Sequence, residues 1–470
     1  MKKIFVFCII ILCIGFLQAQ TLDKYPTYEQ YLSFMQEKSQ TYSNICHLDT
    51  IGTSYEGRLL LALVFENNTN NNEVTKPSFF YSAAIHGNEM TGAMMLMHLI
   101  DTLTANSEQF ATLFNNISIY ICPFANPDGT WHGGNNNPFS SIRYNANFVD
   151  LNRNFPIIQG AYSSSQDDLQ QETEAFISYQ LTKKFNLSCN LHTGSEIFNY
   201  PFDSFTSYSK QHADKDWFEA LGTDFVNALQ KDDPYYFTSV EEDGVVDGGD
   251  WYVITGSRQD WSTYYAHCRE VTLEVSDDYY VNENKINLYW NRLRNSLFVF
   301  FDYAQKGFAG IVRDSLTLEP IDEVMVMINN HDTYCSEVYT NKYGYYFRPI
   351  LNGNYDVTFS KNGYYPKTIN ISCGESISSY DVMLQKENTK LNEIEDLQIS
   401  LYPTISKDYV IIKANKNLDY KIFNSMGLMM QAGNIAVGDN VINTKQLSSG
   451  LYIIELLEGG QRVNMKFIKE

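Results

Sequence analysis

Basic residues are scarce in this 470-residue chain: 34 Lys and Arg stand against 55 Asp and Glu, a formal net charge of −21. Such a balance argues against nucleic acid or an anionic membrane surface as partner and suits a cationic substrate. Long apolar runs are missing beyond the first one, at residues 4–17, which is shorter than the roughly 20 residues a membrane span requires. Flanked by Met1-Lys2-Lys3 and Gln18-Ala19-Gln20, it reads as a signal peptide over residues 1–19. The mature chain is therefore expected to be exported and to hold no transmembrane segment. Only 8 cysteines occur, and Cys8 and Cys13 leave with the leader. Cys46, Cys122, Cys189, Cys268, Cys335 and Cys373 are irregularly spaced, with no Cys-x-x-Cys or Cys/His knuckle. They read as buried small apolar residues or as one to three disulfides. His-Glu-x-x-His and Gly-x-Ser-x-Gly are absent, which removes two common hydrolase signatures.

The length implies roughly three domains. Residues 20–305 alternate β-branched or aromatic runs with longer amphipathic stretches, the pattern of an α/β domain. Strands are expected at 59–66, 79–85, 117–122 and 187–191, and helices at 92–103, 173–185 and 285–304. From 306 to 385 the texture changes to short strands at 307–313, 324–328, 344–348, 355–360 and 368–373, with a turn at Leu351-Asn352-Gly353-Asn354. This predicts a small β-sandwich. A polar linker without aromatics follows at 386–398. Residues 399–470 form a second short-strand module with turns at Asn424-Ser425-Met426-Gly427 and Ser449-Gly450.

One strand ends in Ala84-Ile85-His86-Gly87-Asn88-Glu89, which presents an imidazole and a carboxylate three residues apart. A His-x-x-Glu pair alone is common. A second strand, Cys189-Asn190-Leu191, ends in His192-Thr193-Gly194, so two strand ends deliver two histidines and one glutamate. Strand ends are where open α/β sheets bind ligands, and this donor set is that of a catalytic zinc with one open position.

At this point the chain resembles the zinc carboxypeptidases, specifically the carboxypeptidase N/E branch. The resemblance rests on the His86 loop, His192 and residues 193–203, Ser54-Tyr55-Glu56-Gly57-Arg58, Asn126-Pro127-Asp128-Gly129, and Asp150-Leu151-Asn152-Arg153-Asn154-Phe155-Pro156. Gln259-Asp260-Trp261 and Glu270-Val271-Thr272-Leu273-Glu274 complete it. The region from 306 resembles that branch's transthyretin-like domain. The resemblance implies a mixed-sheet α/β catalytic domain and one Zn2+ held by His86, Glu89 and His192. Glu274 matches the general base and acid, which takes a proton from the attacking water and returns it to the leaving amine. Arg143 matches the arginine that stabilises the oxyanion. Asn152 and Arg153 match the pair that grips a substrate's terminal carboxylate, for which the planar guanidinium fork is suited. Tyr252 matches the tyrosine that closes over that carboxylate, and Asp203 with Gln259 the pocket that selects a basic terminal side chain. Two departures stand out: Thr193 replaces a usual Gly, and Arg258 replaces a usual Met beside the pocket, where a positive charge would weaken a preference for Lys or Arg.

The last module resembles the type A sorting domain of the type IX secretion system through Leu401-Tyr402-Pro403, residues 420–427, residues 447–453 and the closing Lys466-Phe467-Ile468-Lys469. Its implied partner is the outer-membrane secretion machinery, with export through the periplasm to the medium or the cell surface. The expected activity is removal of C-terminal Lys or Arg from peptides or proteins. Cleavage of cell-wall or other peptides and an inactive surface-binding relative are the alternatives.

Overall fold

The computed structural model describes residues 22–67, 75–162, 167–387, 398–425, 427–458 and 461–470. The expected signal peptide and most of the expected linker lie outside the described residues. Two compact units result, residues 1–385 and 386–470. No helix among the described residues is long and apolar enough to cross a membrane.

The first unit opens with α1 (Tyr28–Thr41), β1 (Cys46–Thr53), β2 (Leu59–Phe65), β3 (Ser78–Ala83), α2 (Thr91–Ala105), α3 (Ala111–Asn116), β4 (Ser118–Cys122) and α4 (Pro127–Thr130). It continues with α5 (Gln171–Lys183), β5 (Leu187–His192), β6 (Ser195–Tyr200), α6 (Lys215–Gln230), β7 (Val245–Asp247), α7 (Gly248–Trp251), α8 (Arg258–Tyr264), β8 (Arg269–Ser276) and α9 (Ile286–Tyr303). Strands expected from the sequence shift by a residue or two at their ends. The eight strands form one sheet in the order β1-β2-β4-β3-β5-β8-β6-β7. Its middle, from β4 through β3 and β5 to β8, is parallel; β1, β2 and β6 join by antiparallel pairing, and β7 at the edge runs parallel to β6. Every residue of β3, β5 and β8 is buried, as continuous apolar runs predict for strands covered on both faces. Helices α2, α6 and α9 pack on one face around Met94, Leu221 and Phe300. Phe176 of α5 and Trp261 of α8 cover the other.

After α9 come β9 (Gly307–Asp314), β10 (Met325–Ile328), β11 (Val338–Tyr339), β12 (Tyr345–Arg348), β13 (Gly353–Ser360), β14 (Lys367–Cys373), β15 (Ile377–Ser379) and β16 (Val382–Leu384). They make two sheets, β11-β10-β13-β14 and β12-β9-β15, over a core of their own. The expected turn at 351–354 is shorter, because Gly353 and Asn354 already belong to β13. The expected division at 305/306 falls inside the first unit, and Tyr345 and Phe347 join the core formed by α2, α6 and α9. All six cysteines are free, five of them buried, which favours the small-apolar reading over disulfides.

A buried ionic cluster ties these strands to the sheet. Arg348 donates to both oxygens of Asp214 at 2.9 and 2.7 Å, and Arg269 donates to Asp214 Oδ2 at 2.9 and 2.7 Å. Beside them His212 accepts the Asp214 amide hydrogen on Nδ1 at 2.9 Å, so this imidazole must stay neutral. Burial holds its pKa down to about 3. The unfolded value is near 6.5, so this contribution to stability is complete above about pH 6.5 and is lost as pH falls towards 3. Urea unfolding is therefore expected to cost about 2–3 kcal/mol less at pH 4.5 than at pH 6.5 from this group alone. All five tryptophans lie in the first unit and report the transition. His212→Gln should flatten that slope, and an unchanged slope would remove His212 as its source.

The second unit comprises β17 (Ile399–Tyr402), β18 (Ile405–Ser406), β19 (Tyr409–Ala414), β20 (Leu418–Asn424), β21 (Met429–Ile435), β22 (Gly438–Asn443), β23 (Gly450–Glu458) and β24 (Gln461–Lys469). Sheets β17-β19-β22 and β18-β24-β23-β20-β21 enclose Val410, Ile412, Ile422 and Ile454. Alternating burial along β19 and β20 follows the period-two side-chain pattern of a strand.

Candidate metal and substrate site

Three strand ends build the centre. β3 stops at Ala83, and Ala84 adopts a left-handed conformation (φ 53°) that turns the chain into the His86 loop. Gly87 is required there, because a Cβ would lie 2.2 Å from the Gly129 carbonyl carbon of α4. The Arg143 segment is tied to the same loop by its carbonyl, which accepts Gly87 N–H at 3.2 Å. His192 ends β5, and the parallel register sets it beside Glu274 of β8.

His86 Nδ1 lies 2.7 Å from Glu89 Oε1, and His192 Nδ1 lies 2.9 Å from Glu89 Oε2. One ligand atom from each of the three residues falls within 4.8 Å of the others. The far ring nitrogens are held from outside: His86 Nε2 by Asp150 Oδ1 at 3.0 Å, His192 Nε2 by the Asn190 amide at 2.7 Å. Thr193 N–H donates to Glu89 Oε2 at 3.1 Å. Two imidazole nitrogens and one carboxylate converging on a point, each ring fixed through its other nitrogen, fit zinc. All three side chains are buried. Burial works against charge on His86, but Glu89 and Asp150 outweigh it and hold its pKa above the ordinary value. On His192 burial prevails and lowers the pKa. Glu274 Oε2 has no hydrogen-bond partner among the described residues, and burial reinforced by the Glu89 charge pushes this carboxyl well up.

A cleft of about 190 Å³ opens beside this centre. It is lined by nine of the ten residues singled out in the sequence: His86, Glu89, His192, Glu274, Arg143, Asn152, Arg153, Asp203 and Tyr252. Gln259 sits behind the wall, where its Nε2 donates to Asp203 Oδ1 at 2.9 Å and Asn199 Oδ1 at 3.2 Å. Asp203 is 3% exposed, and burial raises its pKa. Its turn is fixed by Asp260, which accepts the Asp203 and Ser204 amide hydrogens at 2.7 and 2.9 Å. Arg143 bridges Asp150 at 2.9 Å and Glu89 at 3.3 Å while its side chain stays 32% exposed. Tyr252 follows α7 and is 47% exposed.

Both departures find an explanation. Thr193 Oγ1 donates to the Tyr279 carbonyl at 2.7 Å and so anchors a neighbouring segment of the cleft wall. Arg258 is fully buried outside the cleft, with Nε donating to Glu270 Oε1 at 2.7 Å. Its charge is neutralised away from Asp203. Reading the sequence assigned no role to Asp150, Asn190 or Asp260. Asn190 was accessible through the two-residue period of β5, which puts it on the face of His192. Asp150 and Asp260 lay inside quoted motifs, but their partners are distant in sequence.

A zinc carboxypeptidase family model matches residues 31–296, and a secretion system C-terminal sorting domain model matches residues 400–470. Carboxypeptidase M of Mus musculus is 33% identical over 356 residues, covering 73% of this chain and 79% of that protein. Carboxypeptidase D of Homo sapiens is 32% identical over 72% of this chain, but the match spans only 25% of its length. A solved structure of thrombin activatable fibrinolysis inhibitor shares the fold, with a TM-score of 0.52 and 17% identity over 60% of this chain and 75% of that one. With the family model covering the whole sheet and every strand end that builds the cleft, this chain belongs to the zinc carboxypeptidase family.

Proposed function

We propose that this protein is an exported carboxypeptidase that removes Lys or Arg from the C-termini of peptides or proteins. The observation that carries the substrate class is Asp203, a buried carboxylate on the cleft wall that receives amide hydrogens from Gln259 and Asn199 and forms no ion pair among the described residues, although Arg153 lines the same cleft. An incoming ammonium or guanidinium would offset the cost of burying that charge, and an apolar side chain would not.

The remaining residues divide the work. Asn152 and Arg153 take the terminal carboxylate, and Tyr252, half-exposed at the rim, closes over it. His86, Glu89 and His192 hold one zinc ion, which when bound supplies a Lewis acid to polarise the scissile carbonyl. Arg143 donates to the oxygen that becomes negative in the tetrahedral intermediate. Glu274 removes a proton from the attacking water with Oε2, which has no hydrogen-bond partner among the described residues, and passes it to the departing amine. The domain reading accompanies this: catalytic residues 20–305, a transthyretin-like sandwich at 306–385, a linker at 386–398 and a sorting domain at 399–470. The sorting domain would address the chain through the periplasm to the outer-membrane secretion machinery, leaving it secreted or surface-attached.

Peptides ending in Lys, Arg, Phe or Glu, incubated with the purified protein and weighed, test the reading. Loss of Lys and Arg that stops on chelation is the expected result. Cleavage indifferent to a chelator would overturn the zinc mechanism, and removal of Phe ahead of Lys would overturn the role of Asp203.

A further inference from the structure

Arg258 carries a buried charge that the proposed reaction does not use. Beyond its bond to Glu270, its Nη1 donates to Ser82 Oγ at 2.6 Å. Ser82 Oγ is in turn 2.9 Å from Asn190 Oδ1, and the Asn190 amide nitrogen is 2.7 Å from His192 Nε2. The other oxygen of Glu270 accepts from Ser188 Oγ at 2.7 Å. These groups form one contiguous chain of hydrogen bonds from a fixed cation to a ring of the metal centre. Sheet register places them: Ser82 of β3 pairs with Asn190 of β5, Asn190 pairs with Thr272 of β8, and Ser188 pairs with Glu270. Ser82, Asn190, Arg258 and Glu270 are each at most 1% exposed, so water does not compete for any link.

The guanidinium is the anchored end. It lies 5.5 Å from the Phe80 ring centre and 5.7 Å from that of Phe176, and Glu270 fixes its plane. A guanidinium can only donate, so Ser82 Oγ must accept from it, which fixes the hydroxyl where Asn190 reaches it. An imidazole that offers Nδ1 to a metal carries its hydrogen on Nε2. A half-turn of the Asn190 amide lets Oδ1 accept that hydrogen while Nδ2 donates to the second lone pair of Ser82 Oγ. The Asn190 amide therefore meets His192 Nε2 with and without metal, at the cost in the metal-bound state of the hydrogen bond that Ser82 Oγ donates to Asn190.

We propose that Arg258 is a positioning residue for His192, acting through Ser82 and Asn190 to hold the ring with Nδ1 towards Glu89 and so to strengthen zinc binding. The inference rests on the reading of His86, Glu89 and His192 as zinc ligands. Partners that orient a metal-bound imidazole are worth about 10–100-fold in metal affinity, and a group acting through two intermediates a smaller factor, about 3–10-fold. Zinc affinity measured by competition with a chromophoric chelator tests this. Asn190→Ala should weaken binding about 10–100-fold, and Ser82→Ala and Arg258→Met each about 3–10-fold. Adding Arg258→Met to Asn190→Ala should cost nothing further, because the link is already cut. Peptide KM in the zinc-saturated single variants should stay at the wild-type value, since Arg258 lies outside the cleft. An equal loss from Arg258→Met in both backgrounds would indicate general loosening and overturn the proposal. So would wild-type affinity in Ser82→Ala, which leaves the Arg258–Glu270 pair intact and decides the matter if Arg258→Met does not fold. His192→Ala is the control: unaltered affinity there would sink the ligand assignment itself. Weak binding in His192→Ala beside normal binding in Ser82→Ala and Arg258→Met would sink only the positioning role.

Discussion

Glu274→Gln is expected to keep zinc and lose turnover, with kcat falling about 100- to 10,000-fold, the range a positioned general base contributes. The substitution preserves shape in the fully buried strand β8, so the neighbouring His192 and the sheet register have no reason to move. What disappears is the ability to accept a proton. In the native protein Oε2 of Glu274 has no hydrogen-bond partner among the described residues, and burial together with the Glu89 charge raises its proton affinity, a combination suited to taking a proton and later releasing it to an amine. Metal analysis of the purified variant alongside kcat on a Lys-terminated peptide separates the two effects. A variant with zinc bound and kcat within tenfold of wild type would place the base elsewhere.

Asp203→Asn should change the choice of terminal residue rather than the chemistry. Losing one partner of a buried, hydrogen-bonded charge pair costs about 2–5 kcal/mol. That corresponds to a loss of roughly 30- to several-thousand-fold in kcat/KM for Arg-terminated peptides, at 1.4 kcal/mol per tenfold. Peptides ending in Phe should be cleaved as well as before or better. A pH dependence follows with a definite sign. Burial raises the Asp203 pKa, so its carboxylate takes up a proton at a higher pH than an ordinary aspartate would. The cation-binding form is present above that pKa and lost below it, and kcat/KM reports the free enzyme. The preference for Arg over Phe should therefore shrink as pH falls, and be flat with pH in Asp203→Asn. A preference that holds constant in wild type across the acidic range would remove Asp203 as its source.

The His-x-x-Glu pair of the His86 loop is weak in isolation, yet it was legible as half of a metal site because a second apolar strand also ended in histidine. Strand ends are local features: the run of buried residues in β3 and β5 fixes where each strand stops, and so which side chain emerges at the sheet's rim. The second unit was legible for the same reason, since alternation along β19 and β20 is written residue by residue. Gln259 was placed in the pocket by its motif, but it braces Asp203 from behind instead of lining the cleft. The threat that Arg258 posed to a basic pocket also disappeared, because nothing in its neighbours in sequence points to Glu270, twelve residues on, or to Ser82 on β3.

Residue type and local pattern were thus enough, by themselves, to point to His86, Glu89 and His192 as a metal-ligand set and to the order of α/β and β-rich segments, while the roles proposed for Glu274, Asn152 and Arg153 came from the family resemblance of the motifs that hold them. Each of these depends on side-chain chemistry at a strand or loop terminus, which adjacent residues control. Only the tertiary structure decided that Asp150 and Asn190 hold the outer nitrogens of the two histidines, that Arg348 closes on Asp214, and that the six cysteines stay unpaired. It also turned Arg258 from a neighbour of the substrate into the anchored end of a buried chain leading to His192. Apart from Asn190 and His192, two positions apart on one strand, those contacts join residues a dozen to well over a hundred positions apart, and sheet register and packing between layers select them, quantities that no local stretch of sequence contains.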